Sequence, residues 1–126
     1  EERNMSYYDK QVDFHSLIGQ TITELSTGDD THITTNTGKY IIFHSQDCCE
    51  RVGLEKVIGN IDDVLNSPIT LAEEDSQDPD WYTEKFWESH TWSAFYLETE
   101  KGRVELWFLG QSNGYYGESM TFAKAD

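Results

Sequence analysis

The chain contains 126 residues and carries a formal net charge of −15, because 24 acidic side chains outnumber 9 basic ones. Nucleic acids and anionic membranes are bound through clustered Lys and Arg, so this charge argues against both as direct partners. It favours a partner protein with a basic surface, although an acidic surface can also serve solubility alone. The length fits a single domain over residues 1–126 with its own core.

The cysteine content is limited to one adjacent pair, Cys48 and Cys49. A disulfide between sequence neighbours is strained and cannot staple a fold, so the pair predicts a reducing, cytoplasmic location. No apolar run approaches the ~20 residues that a membrane span needs, and no secretory signal is visible. The polar residues 1–11 are expected to be flexible.

The first part of the chain predicts short antiparallel strands. Residues 21–25 alternate in the manner of a half-buried strand, and residues 32–35 and 40–45 are also predicted to be strands. The last two of these segments form a predicted hairpin across residues 36–39, which contain a turn-forming glycine. The run from Lys39 to Ser45 is predicted to be an internal strand because it is dense in β-prone apolar side chains.

The middle of the chain predicts two further strands, a helix and an irregular segment. Residues 52–58 are predicted to be a strand, and residues 61–67 show the apolar spacing of a short helix that Pro68 ends. Another strand is expected at residues 69–72. Residues 75–90 mix acidic and aromatic side chains without a regular period, so we expect an irregular segment there.

The last third of the chain predicts three more strands, at residues 91–99, 103–109 and 120–122. The first two alternate clearly and are joined by a turn that contains Gly102, so Arg103 to Leu109 is predicted to be an internal strand. Short strands, hairpin signals and at most two short helices predict an α+β domain built on an antiparallel sheet.

The most polar run of the chain follows the strand that begins at Lys39. Its side chains combine an imidazole, carboxylates and a thiol pair at the end of a scaffold element, where sites often lie. They are His44, Gln46, Asp47, Cys48, Cys49 and Glu50. The histidine with either cysteine could form a thiolate–imidazole pair, but the neighbouring carboxylates would oppose the thiolate. The plainer interpretation is that the cysteines are buried as small apolar groups.

Metal binding is an alternative use of this run. Adjacent cysteines lack the usual spacing of zinc ligands, and His90 or Glu73 would have to supply a fourth ligand. A hard divalent cation is a second possibility, through Asp47, Glu50, Glu73 and Glu74, but no loop has the order of an EF-hand. We therefore predict no metal ligand, no cofactor and no catalytic residue.

A second candidate lies at Asn113, Gly114, Tyr115 and Tyr116. Asn and Gly suit a left-handed turn and a close backbone approach, and the two phenol rings could cradle a ring-containing ligand such as a nucleotide. The alternative is a tight loop whose tyrosines cover the sheet. We expect Asn113, Tyr115 and Tyr116 to form a candidate pocket with the polar run that contains the cysteines.

The acidic and aromatic segment is the candidate partner-binding surface. Trp side chains surrounded by charge resemble the anatomy of binding hot spots. The residues predicted to bind a partner are Glu73, Glu74, Asp78, Asp80, Trp81 and Trp87. The alternative is that the rings fold inward and the charges form a solvated rim.

Four short runs, taken in order, carry a resemblance. They are His44-x-Gln46-Asp47-Cys48-Cys49-Glu50, Ala72-Glu73-Glu74, Ser89-x-Thr91-Trp92 and Ser112-Asn113-Gly114-Tyr115-Tyr116. From Gly38 to Phe122 the chain resembles an uncharacterised small domain found in phage and bacterial proteins. The resemblance implies a phage or prophage setting and lends no activity.

The charge and the resemblance together predict a non-catalytic interaction protein of phage type. It would inhibit a host defence protein by occupying a basic, nucleic-acid-binding surface, and defence nucleases are the class that this charge suits best. Two alternatives are a small-molecule, nucleotide-like binding protein and a metal- or cysteine-dependent enzyme.

Overall fold

The computed structural model describes residues 9–45, 50–82, 89–112 and 117–126. Within these ranges the chain forms eight strands and two 3₁₀ helices. The strands are β1 (Ile22–Ser26), β2 (Thr31–Thr35), β3 (Lys39–Phe43), β4 (Arg51–Ile58), β5 (Leu71–Asp75), β6 (Ser89–Thr99), β7 (Gly102–Ser112) and β8 (Thr121–Lys124). The 3₁₀ helices are Phe14–Leu17 and Ile61–Val64.

The strands form two antiparallel four-stranded sheets. The first sheet has the order β1-β2-β3-β8, and the second has the order β4-β7-β6-β5. β3 and β7 are therefore internal, which confirms the prediction for the strands that begin near Lys39 and Arg103. The second sheet is built on the β6–β7 hairpin, which stays in register over all 11 residues of each strand.

The predicted α+β class is wrong, because the described residues form an essentially all-β structure without an α-helix. The helix predicted at residues 61–67 is a single 3₁₀ turn, Ile61–Val64, which the Asn60 side chain caps. Asn66 then takes a left-handed φ of 61° and Pro68 follows, so too few residues remain to nucleate an α-helix. No helical segment of the described ranges has the length and apolarity needed to cross a membrane.

The two sheets pack over one apolar core and form a sandwich. Side chains from both sheets and from the first 3₁₀ helix are buried in it, among them Phe14, Leu17, Ile22, Ile33, Ile42, Phe95, Leu97, Val104, Leu106, Phe108 and Phe122. Phe14 links the sheets, since its ring meets Phe95 of β6 and Phe122 of β8 edge-to-face, at centroid distances of 5.1 and 4.9 Å. Burial of these rings supplies much of the stabilising free energy of such a core.

A loop carboxylate ties the second sheet to the first. Asp29, between β1 and β2, accepts a hydrogen bond from the backbone N–H of Leu54 on β4 at 2.9 Å. Gly53 makes this approach possible, because a Cβ atom there would lie only 2.8 Å from Asp29 Oδ1. β4 is an edge strand, so the contact also occupies a donor on an open sheet edge.

We predict that Asp29→Ala lowers the free energy of unfolding by about 1–2 kcal/mol, because a charge-assisted hydrogen bond between the sheets is lost. The neighbouring Asp30 is exposed, so Asp30→Ala is a matched control that should change stability by less than about 0.5 kcal/mol. Urea unfolding of both variants measures the difference. Equal losses in the two variants would show that the link between the sheets does not contribute.

Candidate functional site

One end of the sandwich gathers residues that flank the predicted pocket. His44 and Glu50 flank the run that contains the cysteine pair, Ser112 precedes the Asn-Gly-Tyr-Tyr run, and Thr91 lies near the start of β6. Hydrogen bonds join them to the segment between β7 and β8. We call this set the polar junction; it consists of His44, Glu50, Thr91, Ser112, Glu118 and Ser119.

Only part of the predicted pocket lies within the described residues. His44 and Glu50 are described, and their side chains are in contact. The members that fall outside the described residues are Gln46, Asp47, Cys48, Cys49, Asn113, Tyr115 and Tyr116, and the predicted partner-binding residue Trp87 falls outside them as well.

His44 uses both of its ring nitrogens inside the polar junction. Nδ1 lies 3.0 Å from the carbonyl oxygen of Ser119, and Nε2 lies 3.0 Å from Glu50 Oε2. A carbonyl oxygen only accepts, so Nδ1 carries a hydrogen. Nε2 faces a carboxyl group, so this second contact needs a further proton that His44 and Glu50 share. Since the side chains are only 10% and 1% exposed, they form a buried acid–imidazole pair.

Glu118 is the anion at the centre of the polar junction. Its buried carboxylate accepts hydrogen bonds from the hydroxyl of Thr91 at 2.9 Å and from that of Ser112. Burial acts to raise the pKa of Glu118, but the hydroxyls of Ser112, Ser89 and Thr91, with a smaller effect of His90, outweigh it and hold the pKa below its ordinary value. The carboxylate is therefore ionised at neutral pH and satisfied by side-chain donors.

Gly110 lets the backbone around Glu118 lie directly on β7. A Cβ atom at position 110 would be 2.0 Å from the carbonyl oxygen of Glu118, so no other residue fits there without moving the segment. Two residues after Glu118, the backbone N–H of Met120 donates a hydrogen bond to the hydroxyl of Ser93 on β6 at 3.2 Å. The segment that leads into β8 is thus fixed across the β6–β7 hairpin.

Asp78, predicted to bind a partner, is engaged within the chain. His90 Nε2 lies 3.1 Å from each oxygen of its carboxylate. The His90 ring in turn lies 5.5 Å from the ring of Tyr82. These contacts tie Asp78 to the start of β6, and the Asp78 side chain remains 43% exposed.

The adjacent residues Glu73 and Glu74 belong to opposite faces of β5. Glu73 pairs with Tyr96 of β6, and Asp75 two residues on shares that outer face of the second sheet. Burial, followed by the carboxylates of Asp75, Glu105 and Glu73, raises the pKa of the Tyr96 hydroxyl above its ordinary value. The acidic side chains therefore surround an aromatic ring on this face.

Glu74 lies on the other side of the same strand, near the first 3₁₀ helix. Partial burial, and then the like charge of Asp13, raises the pKa of Glu74, while His15 opposes the shift. The ionised form of Glu74 is therefore less stable in the folded protein than in water. Carboxylates consequently crowd both faces of β5, which is an edge strand.

The outer face of the second sheet carries a cluster of aromatic rings. Trp81 is 39% exposed, and its ring meets Trp92 and Trp107 edge-to-face at centroid distances of 5.2 and 5.7 Å. Tyr82 packs against Trp92 at 4.9 Å in the same manner. The ammonium group of Lys56 lies 4.6 Å from the centroid of the Trp81 ring, which is a cation–π distance.

Two neighbouring tryptophans of this cluster differ in how their indole N–H groups are satisfied. Trp107 Nε1 donates to Glu105 Oε1 at 2.9 Å. Trp92 is fully buried, and its Nε1 has no hydrogen-bond partner in the described part of the chain. An unpaired buried donor is rare in native proteins and calls for an explanation.

A cleft of about 540 Å³ lies beside the aromatic cluster. Its lining combines rings, charged groups and an amide with the backbone of β4, and the side chains that define it are Arg51, Glu55, Trp81, Tyr82, Trp92 and Gln111. The cleft was missed by the sequence analysis, which placed a pocket at the cysteine and tyrosine runs. Trp92 was recognisable as one face of an alternating strand, but no pattern in the sequence brings Arg51 beside it.

Glu118 was also missed, and no local signal distinguishes it from the other acidic residues. Its role depends on hydroxyls from β6 and β7 that meet only in the folded sandwich. In the ranges that the structure describes, no three His, Cys, Asp or Glu side chains are grouped so that they could hold a metal ion.

Residues 15–122 match a protein family described as Domain of unknown function (DUF7448). The match spans most of the chain, so the protein belongs to this family, and it extends into the N-terminal part that the four motif runs do not reach. No curated protein and no solved structure matches the chain.

We predict that Glu118→Gln lowers the free energy of unfolding at neutral pH by about 1–3 kcal/mol, because the hydroxyl donors lose a charged acceptor. The pKa of Glu118 is lowered in the folded state, so its contribution is present above the ordinary pKa and is lost as the pH falls through the folded pKa. The variant should therefore lose less stability than the native protein on acidification.

Urea unfolding over a series of pH values tests this prediction. Glu100→Gln, in the exposed turn between β6 and β7, is the control and should keep the native pH dependence. If the Glu118 variant and the native protein lose stability in parallel on acidification, the carboxylate is not stabilised as described.

We further predict that Trp107→Phe destabilises the fold more than Trp92→Phe, by about 1 kcal/mol. Both substitutions remove the same volume, but only the first breaks a hydrogen bond, whereas the second removes a donor that has no partner among the described residues. Urea unfolding of the two variants gives the comparison. An equal or greater loss in Trp92→Phe would mean that the Trp92 N–H is satisfied in solution.

Proposed function

We propose that this protein is a non-catalytic interaction protein that docks an acidic edge onto a basic surface of a partner protein. The acidic edge consists of Glu73, Glu74, Asp75 and Asp80, on and just after β5. The observation that carries the proposal is that these carboxylates form no ion pair with Lys or Arg in the described ranges. They are available to cations supplied by a partner.

The contrast with another part of the same sheet supports this proposal. Arg103 forms ion pairs with Glu98 and Glu105, so those two carboxylates are compensated within the chain. At the acidic edge the raised pKa of Glu74 reports first its partial burial and then the neighbouring charge of Asp13, so the ionised form of Glu74 opposes folding. Charged groups that lower the free energy of unfolding at neutral pH are expected at positions that take part in binding.

Trp81 supplies the apolar part of the proposed interface. It directly follows Asp80, is 39% exposed, and is held in place by the rings of Trp92 and Trp107. A partly exposed ring on a rigid support, surrounded by charge, is the anatomy of a binding hot spot. We infer that the charges steer the partner towards the edge and that Trp81 then anchors it.

The partner class that this charge suits is a nucleic-acid-binding protein, whose basic channel the acidic edge would occupy in place of nucleic acid. In the phage or prophage setting that the sequence resemblance implies, a host defence protein would be such a target. The proposal needs no catalytic residue and no cofactor.

The charge contribution is tested by replacing the acidic edge as a unit, with Glu73→Gln, Glu74→Gln, Asp75→Asn and Asp80→Asn in one variant. Asp78 is left unchanged because it pairs with His90. The control carries the same change of net charge at exposed positions elsewhere, with Glu24→Gln, Asp30→Asn, Asp62→Asn and Glu100→Gln. Both variants and the native protein are used as bait in bacterial lysate at low and high salt, with and without duplex DNA as competitor.

The native protein and the control should retain nucleic-acid-binding proteins that salt or duplex DNA releases, and the acidic-edge variant should not. On one such purified partner, the acidic-edge variant should associate more slowly and with a weaker dependence on salt. Identical capture and identical salt dependence in the two variants would mean that the acidic edge serves solubility alone and does not bind a partner.

The anchor is tested on the same partner with Trp81→Ala. We expect faster dissociation, with roughly 2 kcal/mol or more of binding free energy lost, because a hot-spot ring is removed. Ile18→Ala is the matched control, since Ile18 is the other large apolar side chain among the described residues that is markedly exposed, at 48%. Unchanged dissociation of the Trp81 variant would remove Trp81 from the interface.

A further inference from the structure

The cleft on the outer face of the second sheet has the size and chemistry of a small-molecule site. Its volume of about 540 Å³ falls within the range of roughly 300–1,000 Å³ that is usual for ligand pockets. Its lining offers flat rings, an amide and a guanidinium group. The acidic edge lies on a different strand, so the cleft requires an explanation of its own.

Arg51 is the first feature that points to a ligand. This exposed side chain lines the cleft, and no hydrogen bond or ion pair joins it to another described residue. An arginine without a carboxylate partner is unexpected in a chain with 24 acidic residues. Guanidinium groups bind phosphate and carboxylate through two parallel hydrogen bonds, so Arg51 is suited to an anionic group of a ligand.

The aromatic lining is the second feature. Trp81 and Tyr82 border the same cleft as Arg51, and rings of this kind bind flat heterocycles by stacking. Trp92 also lines the cleft, and its buried indole N–H lacks an acceptor among the described residues. Because this nitrogen is inaccessible, Trp92 supports the rings of Trp81 and Tyr82 and does not itself donate to a ligand.

Charge limits the number of phosphates that such a ligand can carry. Two carboxylates, from Asp29 and Glu55, also line the cleft. Asp29 is bonded to the backbone of Leu54, whereas the exposed Glu55 is free to accept hydrogen bonds from sugar hydroxyls. One arginine beside two carboxylates, in a chain of net charge −15, favours a single phosphate over a polyphosphate.

We propose that this cleft binds a nucleoside monophosphate, with the phosphate on Arg51 and the base against the rings of Trp81 and Tyr82. Gln111 is placed to hydrogen-bond the polar edge of the base or the sugar. The two proposals share Trp81, but the phosphate-binding residue Arg51 is absent from the acidic edge, so each proposal can fail alone.

The test uses the indole N–H resonances of the ¹⁵N-labelled full chain, assigned by Trp→Phe substitutions. The protein is titrated with the 5′-monophosphates of adenosine, guanosine, cytidine and uridine, with the four nucleosides, and with inorganic phosphate. At least one monophosphate should shift the Trp81 and Trp92 resonances. Its nucleoside should bind roughly tenfold more weakly, and inorganic phosphate should bind more weakly than either.

Arg51→Gln should reduce the affinity for that monophosphate to the affinity for its nucleoside and leave the nucleoside affinity unchanged. Lys124→Gln, on the exposed end of β8, makes the same change of net charge and should leave both affinities unchanged. Three results would each overturn the proposal: no monophosphate shifts these resonances at millimolar concentration, inorganic phosphate binds as tightly as the monophosphate, or Arg51→Gln binds it as the native protein does.

Discussion

The buried carboxylate of Glu118 is the interaction on which the polar junction at one end of the sandwich depends. It sits where β6 begins and β7 ends, and it accepts hydroxyl hydrogen bonds from both strands. A buried anion is tolerated only when hydrogen-bond donors surround it. The Glu118 carboxylate therefore needs these hydroxyl donors, and the hydroxyls need the carboxylate as their acceptor. Gly110 permits the close approach that places the backbone of Glu118 on β7. The carbonyl of the following residue, Ser119, then holds the His44 ring through its Nδ1.

Acidic residues have two different roles in this molecule. The buried ones, Glu50 and Glu118, are satisfied by an imidazole and by hydroxyls within the chain. Those on the edge strand, such as Glu73 and Glu74, form no ion pair with Lys or Arg in the described residues. Solubility alone would be served by carboxylates spaced far apart, so their concentration on one edge is the feature on which the proposed binding function rests.

The strands were predictable because burial imposes a period of two on the sequence. β3 has four consecutive apolar residues and β7 has apolar residues at alternate positions, and both were identified as internal strands. The apolar spacing at residues 61–67 was equally visible, but Asn66 and Pro68 shorten the element to one 3₁₀ turn. Backbone geometry outweighed the pattern there, and the fold class was assigned incorrectly as a result.

The candidate sites were less predictable because they depend on contacts between distant parts of the chain. Sequence identified His44 and Glu50 as neighbours in a polar run, but it could not show that Ser119, 75 residues from His44, occupies the second ring nitrogen. Similarly, Glu73 and Glu74 look like one charged patch until strand geometry sends them to opposite faces. Arg51 and Trp81 meet at one cleft only because β4 enters the second sheet at its edge.

The two proposed binding surfaces meet at Trp81, and this has a thermodynamic consequence. Trp81 follows the acidic edge in sequence and also lines the cleft beside Arg51. A partner that buries the exposed part of this ring would close that side of the cleft, so partner and monophosphate would weaken each other's binding. Linkage requires the two effects to be equal in free energy, whichever ligand binds first. A nucleotide would then release a partner held at the acidic edge without touching a single carboxylate of that edge.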